Sequence, residues 1–122
     1  MSMNYDICPV AAPRMTQRDK WAKRPAVMRY QAYRDKVRLA RMTIPQPCRI
    51  IFWMPMPKSW SLEKRKNMLF SPCRSKPDLD NLLKGLLDAV FYKQGDADKC
   101  IWSVWCEKRW TDETGHISIG QL

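Results

Sequence analysis

The stretch Lys76-Pro77-Asp78-Leu79-Asp80-Asn81-Leu82-Leu83-Lys84-Gly85-Leu86-Leu87-Asp88 constrains the fold more than any other part of the chain. A proline keeps the residue before it out of the helical region, so Lys76 is expected to be extended. From Leu79 onward the apolar residues fall at 79, 82, 83, 86, 87 and 90. That spacing predicts an amphipathic helix over about residues 79–92, with a leucine face that has to be covered. Asp78 or Asp80 is expected at its N-cap, where a carboxylate accepts from the free N–H groups of the first turn. If the chain is still extended from Asp78 to Asp80, both carboxylates project to the same side. Two carboxylates held that way repel unless a cation lies between them, which is how a magnesium site begins. The plainer alternative is that one aspartate caps the helix and the other complements its positive end.

Further along the same helix, Asp80, Lys84 and Asp88 are spaced i, i+4, i+8 and form a polar line beside the leucines. Lys84 is then either a member of an ordinary helix ion pair or a cation aimed at a phosphate near the acids. Gly85 costs about 1 kcal/mol in mid-helix relative to alanine. Its presence predicts close approach by another backbone, from a neighbouring strand or from a second subunit.

The 122 residues suit one domain, taken as 1–122, with one core. No apolar run is long enough to cross a membrane, and the first residues lack the pattern of a signal peptide. The 22 Lys and Arg against 12 Asp and Glu give a formal charge of +10, which points to a polyanion, nucleic acid first. A basic surface kept for solubility is the alternative. Asp78, Asp80, Asp88, Asp96 and Asp98 lie within about twenty residues of one another. An acidic cluster in a basic protein is what a metal-dependent nuclease needs: cations grip phosphates and carboxylates hold the metal. The five cysteines form no C-x-x-C pair and His116 has none nearby in sequence, so neither zinc nor a disulfide framework is indicated. Most of the cysteines are expected to be buried, reduced thiols, as in a cytosolic protein.

In chain order, residues 5–10 predict a short first strand and 11–24 a basic loop that includes Arg14 and Trp21. Residues 29–42 predict a helix with Tyr30, Tyr33, Val37 and Ala40 facing inward. Residues 48–56 predict a strand that is apolar on both sides. A short helix capped by Ser59 or Ser61 is expected within 58–70, then a basic loop whose Arg74 and Lys76 lead to the acids. Residues 100–110 predict a long strand, 111–115 a hairpin turn, and 116–119 a final strand pairing back. Asp98 is expected where this strand begins, facing the entrance of the central helix. His116 has no recognisable catalytic partner and is read as structural.

With these residues in view, the chain resembles the RusA family of Holliday junction resolvases, small endonucleases common in phages and prophages. The match is carried by Lys76-Pro77-Asp78-Leu79-Asp80-Asn81-Leu82-Leu83-Lys84 and Leu87-Asp88-Ala89. The family pattern is a basic residue, a D-x-D-N-L element and a lysine four residues after the second aspartate. Pro13-Arg14 and Gln31-Ala32-Tyr33-Arg34-Asp35-Lys36-Val37 are weaker matches. The resemblance implies an α+β protein, a small mixed β-sheet packed against helices, working as a homodimer on branched DNA and four-way junctions. It implies Mg²⁺ as cofactor, with Mn²⁺ able to replace it, held by Asp78, Asp80 and a third acid, with Lys84 completing the catalytic set. The third family acid stands three residues before an apolar strand residue, which assigns Asp98. It usually follows another acid; here Ala97 precedes Asp98, and Asp96 stays as the alternative. DNA contacts are expected from Arg14, Arg74 and Lys76.

The expected reaction is metal-assisted, in-line attack of water on a phosphodiester, nicking opposed strands of a junction in the paired cuts of recombination and repair. Two readings compete with it. One is a basic DNA-binding protein without catalysis, its acids serving as caps and ion pairs. The other is a broader branched-DNA nuclease acting on flaps or forks.

Overall fold

The computed structural model describes residues 2–13 and 24–122. Strand β1 is Ser2–Tyr5, helix α1 Pro25–Leu39, strand β2 Cys48–Pro55, helix α2 Leu62–Met68 and helix α3 Leu79–Val90. A 3-10 turn follows at Ala97–Cys100, then strands β3, Val104–Thr111, and β4, His116–Gln121. The four strands form one mixed sheet in the order β1-β4-β2-β3. β2 pairs parallel to β3 and antiparallel to β4, which pairs antiparallel to β1. This is the α+β arrangement expected, with helices against a small mixed sheet.

β2 takes the centre because its alternate residues Cys48, Ile50, Phe52 and Met54 are all apolar and all buried. Ile117 and Ile119 of β4 continue that inner face. Leu82, Leu86 and Ala89 of α3 and Tyr33 and Val37 of α1 close over it as one core. The leucine periodicity of α3 therefore does what it predicts: each fully buried leucine contributes about 1.5–3 kcal/mol.

Strand order departs from expectation in one place. β3 and β4 are not a hairpin; β2 lies between them. The turn after Thr111 has to cross two inter-strand spacings, about 9.6 Å, where a tight hairpin crosses one. The reversal at residues 112–115 is there, but the most apolar strand claims the position between its two arms. The first strand is also earlier than 5–10. β4 offers partners only to Ser2–Tyr5, and the chain then turns, with Ile7 N–H donating to the Tyr5 carbonyl at 2.8 Å. β3 begins at Val104, not at residue 100. The segment before it is held by Gln46, whose Oε1 accepts from the N–H groups of Trp102 and Ser103 at 2.8 and 2.9 Å. Helix α1 starts at Pro25, since proline is well suited to a first helical turn.

Of the five thiols, Cys48 and Cys73 are buried and Cys106 partly so, while Cys8 and Cys100 are exposed. The expectation of mostly buried cysteines thus holds for Cys48, Cys73 and, in part, Cys106, and not for Cys8 and Cys100. Among the described residues no helix is long and apolar enough to cross a membrane.

Candidate functional site

β3 is an edge strand, and its free edge is covered by the residues that lead into α3. Phe70 N–H donates to the Trp110 carbonyl at 3.1 Å, Trp110 N–H to the Ser71 carbonyl at 3.0 Å, and Cys73 N–H to the Lys108 carbonyl at 2.8 Å. Pro72 bridges Arg109 antiparallel. The strap formed by residues 70–77 so satisfies groups that would otherwise be an open template for pairing. Lys108 of β3 then fixes its far end, its ammonium donating to the Ser75 carbonyl and, at 2.7 Å, to the Pro77 carbonyl. Asp78 is the next residue, so a cation in the sheet anchors the backbone from which the first acid projects.

Asp78 occupies the N-cap of α3 in extended conformation, φ −67° and ψ 145°. Its side chain makes no capping hydrogen bond. Asp80 lies in the first helical turn. The extended run ends at Asp78, so the two acids share a helix entrance, not a strand face. Both are exposed, and among the described residues neither forms an ion pair. The plainer sequence alternative gave one of them to capping. The structure leaves both carboxylates uncommitted, beside the positive end of the helix.

Lys84 is exposed one turn on and is likewise unpaired with Asp80 or Asp88 among the described residues. The ordinary helix ion pair is therefore not what holds it. Arg74 and Lys76 are exposed on the strap. Arg14 lies outside the described residues.

Asp98 stands in the first turn of the 3-10 turn, reached from the C-terminal end of α3 by successive turns: Gln94 N–H to Phe91 O at 3.0 Å and Ala97 N–H to Gln94 O at 3.3 Å. Cys100 of the same turn lines a groove with Val90 and Phe91. Among the described residues no three His, Cys, Asp or Glu side chains form a group able to hold a metal. The sequence predicted three converging aspartates; of these, Asp78 and Asp80 share the entrance of α3. Asp96, the alternative third acid, pairs with Lys99 at 3.4 Å, whereas Asp98 has no ion pair among the described residues.

Gly85 resolves as a crossing point. A Cβ there would stand 2.8 Å from the Ala12 nitrogen and 3.0 Å from the Val10 oxygen. The close backbone is the N-terminal segment of the same chain, neither a strand nor a second subunit. Ala12 N–H donates to the Asn81 carbonyl at 3.3 Å, and Tyr30 Oη–H to the Gly85 carbonyl at 2.8 Å. Burial and the nearby Asp88 carboxylate push the Tyr30 phenol up to about 12, so it remains a donor. His116 stacks on Trp53, centroids 5.6 Å apart, and its Nδ1 lies 3.1 Å from the Thr114 carbonyl.

The family model for the endodeoxyribonuclease RusA matches residues 6–120. The chain belongs to the RusA family. The chain is therefore an endodeoxyribonuclease, a Holliday junction resolvase hydrolysing phosphodiester bonds of DNA, in a family generally dependent on divalent metal. No curated protein sequence matches the chain significantly. Lys108 and Gln46 escaped sequence reasoning. Their roles rest on partners more than thirty residues away, which no local pattern announces.

Proposed function

We propose that this RusA chain is a Mg²⁺-dependent resolvase that nicks opposed strands of four-way junctions as a homodimer, with Asp78, Asp80, Asp98 and Lys84 as its catalytic residues. The observation that carries the reading is the pair of uncommitted carboxylates on an anchored helix entrance, in a chain of this family. Two carboxylates fit Mg²⁺, which is commonly held by one or two carboxylates together with waters and substrate phosphates. Asp78 and Asp80 would hold the ion. Asp98, unpaired among the described residues, would be the third carboxylate.

When bound, the metal supplies Lewis-acid polarisation of the scissile phosphate and a more acidic water. The chain's own residues do the rest. Lys108 and the strap fix the backbone at Asp78, so the acids need little reordering when substrate arrives. Lys84 complements the charge that grows on the phosphate. Arg14, Arg74 and Lys76 grip neighbouring phosphates, consistent with a net charge of +10. Two sites in a dimer would engage opposed strands together, and avidity follows from their fixed separation.

A nicking assay on a synthetic immobile four-way junction tests this. Mg²⁺-dependent paired nicks that vanish in EDTA and in Asp80→Asn support it. Equal cutting of flaps or forks in competition would replace the resolvase with the broader branched-DNA nuclease.

A further inference from the structure

Away from the acids, three cations converge on one aromatic ring just beyond α3. The Arg34 guanidinium carbon lies 3.8 Å from the Tyr92 ring centroid, that of Arg38 5.3 Å and the Lys93 ammonium 5.4 Å. A ring attracts each exposed cation by about 0.5–1 kcal/mol. Cations gathered this closely repel one another by about 1–2 kcal/mol per pair at a surface dielectric. The ring alone does not offset that. Among the described residues no carboxylate pairs with any of the three, the ion pairs being Arg49–Glu107, Arg109–Glu107 and Lys99–Asp96.

Two further observations fall at the same place. The Arg34 Nε is buried without a hydrogen-bond partner, which costs about 1–3 kcal/mol. Lys93 has φ of 57°, in the left-handed region that disfavours a residue with a Cβ. An unpaired cluster of cations and an orphaned guanidinium donor are both served by a polyvalent oxyanion, while the left-handed turn at Lys93 sets where its ammonium sits.

We propose that Arg34, Arg38 and Lys93 around Tyr92 form a phosphate-contact site for the backbone of a DNA arm leaving the acidic site. It rests on the nuclease reading above. Asp80, Lys84 and Asp88 follow at i+4 steps along α3, and Tyr92 stands two residues past its end, against Arg34 and Arg38 of α1. From Asp80 to the end of α3 at Val90 the helix rises about 15 Å, and with the turn to Tyr92 this is about five base pairs of duplex at 3.4 Å each. Asp88 on that row lies close enough to the Tyr30 phenol to act on it. A duplex laid along the row meets the acids at one end and the three cations at the other.

The test is fluorescence anisotropy of a labelled immobile junction in EDTA, across a series of NaCl concentrations. Lys93→Gln, an exposed position, is expected to flatten the log–log salt slope by about 0.9, and Arg34→Gln with Arg38→Gln by about 1.8. The Arg34→Lys, Arg38→Lys pair should recover most of the slope. Ethylation interference should fade at phosphates about five base pairs from the nick. An unchanged slope in Lys93→Gln and in the double variant, with melting temperature intact, overturns the site. Should the double variant fail to fold, Lys93→Gln decides alone. Asp80→Asn should leave the slope unchanged while abolishing nicking, so failure of this site and failure of the metal reading are told apart.

Discussion

Gly85→Ala sets two measurable effects against each other. Alanine in mid-helix gains about 1 kcal/mol over glycine. Its Cβ, however, would stand 2.8 Å from the Ala12 nitrogen and 3.0 Å from the Val10 oxygen. Both atoms are backbone, so no side-chain rotation relieves the contact. One of the two segments has to move, at about 1–3 kcal/mol for an overpacked site. The shift also strains the Ala12–Asn81 and Tyr30–Gly85 hydrogen bonds, at 3.3 and 2.8 Å. The net expectation is a loss of about 1 kcal/mol, a fall in melting temperature of about 3–6 °C. Thermal melts followed by far-UV circular dichroism read it directly. A rise of several degrees would mean that the helix gain is unopposed, and that residues 10–12 do not cross α3 at this point.

The other predictions concern the anchor and the acid limb. Lys108→Met removes both hydrogen bonds to the strap, and should destabilise by about 1–3 kcal/mol while raising the Mg²⁺ concentration needed for half-maximal nicking. A melt and a Mg²⁺ titration check it, and an unshifted titration would show that the strap does not position Asp78. The Glu107 carboxyl is held below its ordinary 4.5, first by the Arg109 hydrogen bond and then by Arg49. Its folded pKa is depressed, so its stabilisation is present above 4.5 and is lost as pH falls through the lower folded value. Glu107→Gln should therefore lose less melting temperature than wild type on acidification below that point, and equal losses would contradict the ion-pair account.

How far the sequence reached depends on whether a feature is local. The 3.6 period of Leu79, Leu82, Leu83, Leu86 and Leu87 is local, and α3 appears where it predicts. Ser61 caps α2 through its Oγ, accepting from Lys64 N–H at 3.2 Å, as one of the two serines expected there. Strand order is not local. The turn after Thr111 reads as a hairpin because the neighbouring residues cannot show that β2 will lie between its arms. Gly85 announced a close backbone, but its partner, residues 10–12, is some seventy positions away. That Asp78 and Asp80 stand together at a helix entrance was legible from their spacing. Where Asp98 comes to lie depends on the turns between α3 and β3, which residue spacing alone does not fix. The cations around Tyr92 went unread because Arg34 and Arg38 belong to a helix more than fifty residues earlier.

The most direct measurement is paired: cleavage of an immobile four-way junction in Mg²⁺ by wild type and Asp80→Asn, with junction binding by both in EDTA. Wild type should nick opposed strands, and the variant should bind as tightly while cutting at least about a hundredfold more slowly, a barrier increase of about 2.7 kcal/mol. Undiminished metal-dependent nicking by Asp80→Asn would contradict the assignment of the α3 entrance as the metal site.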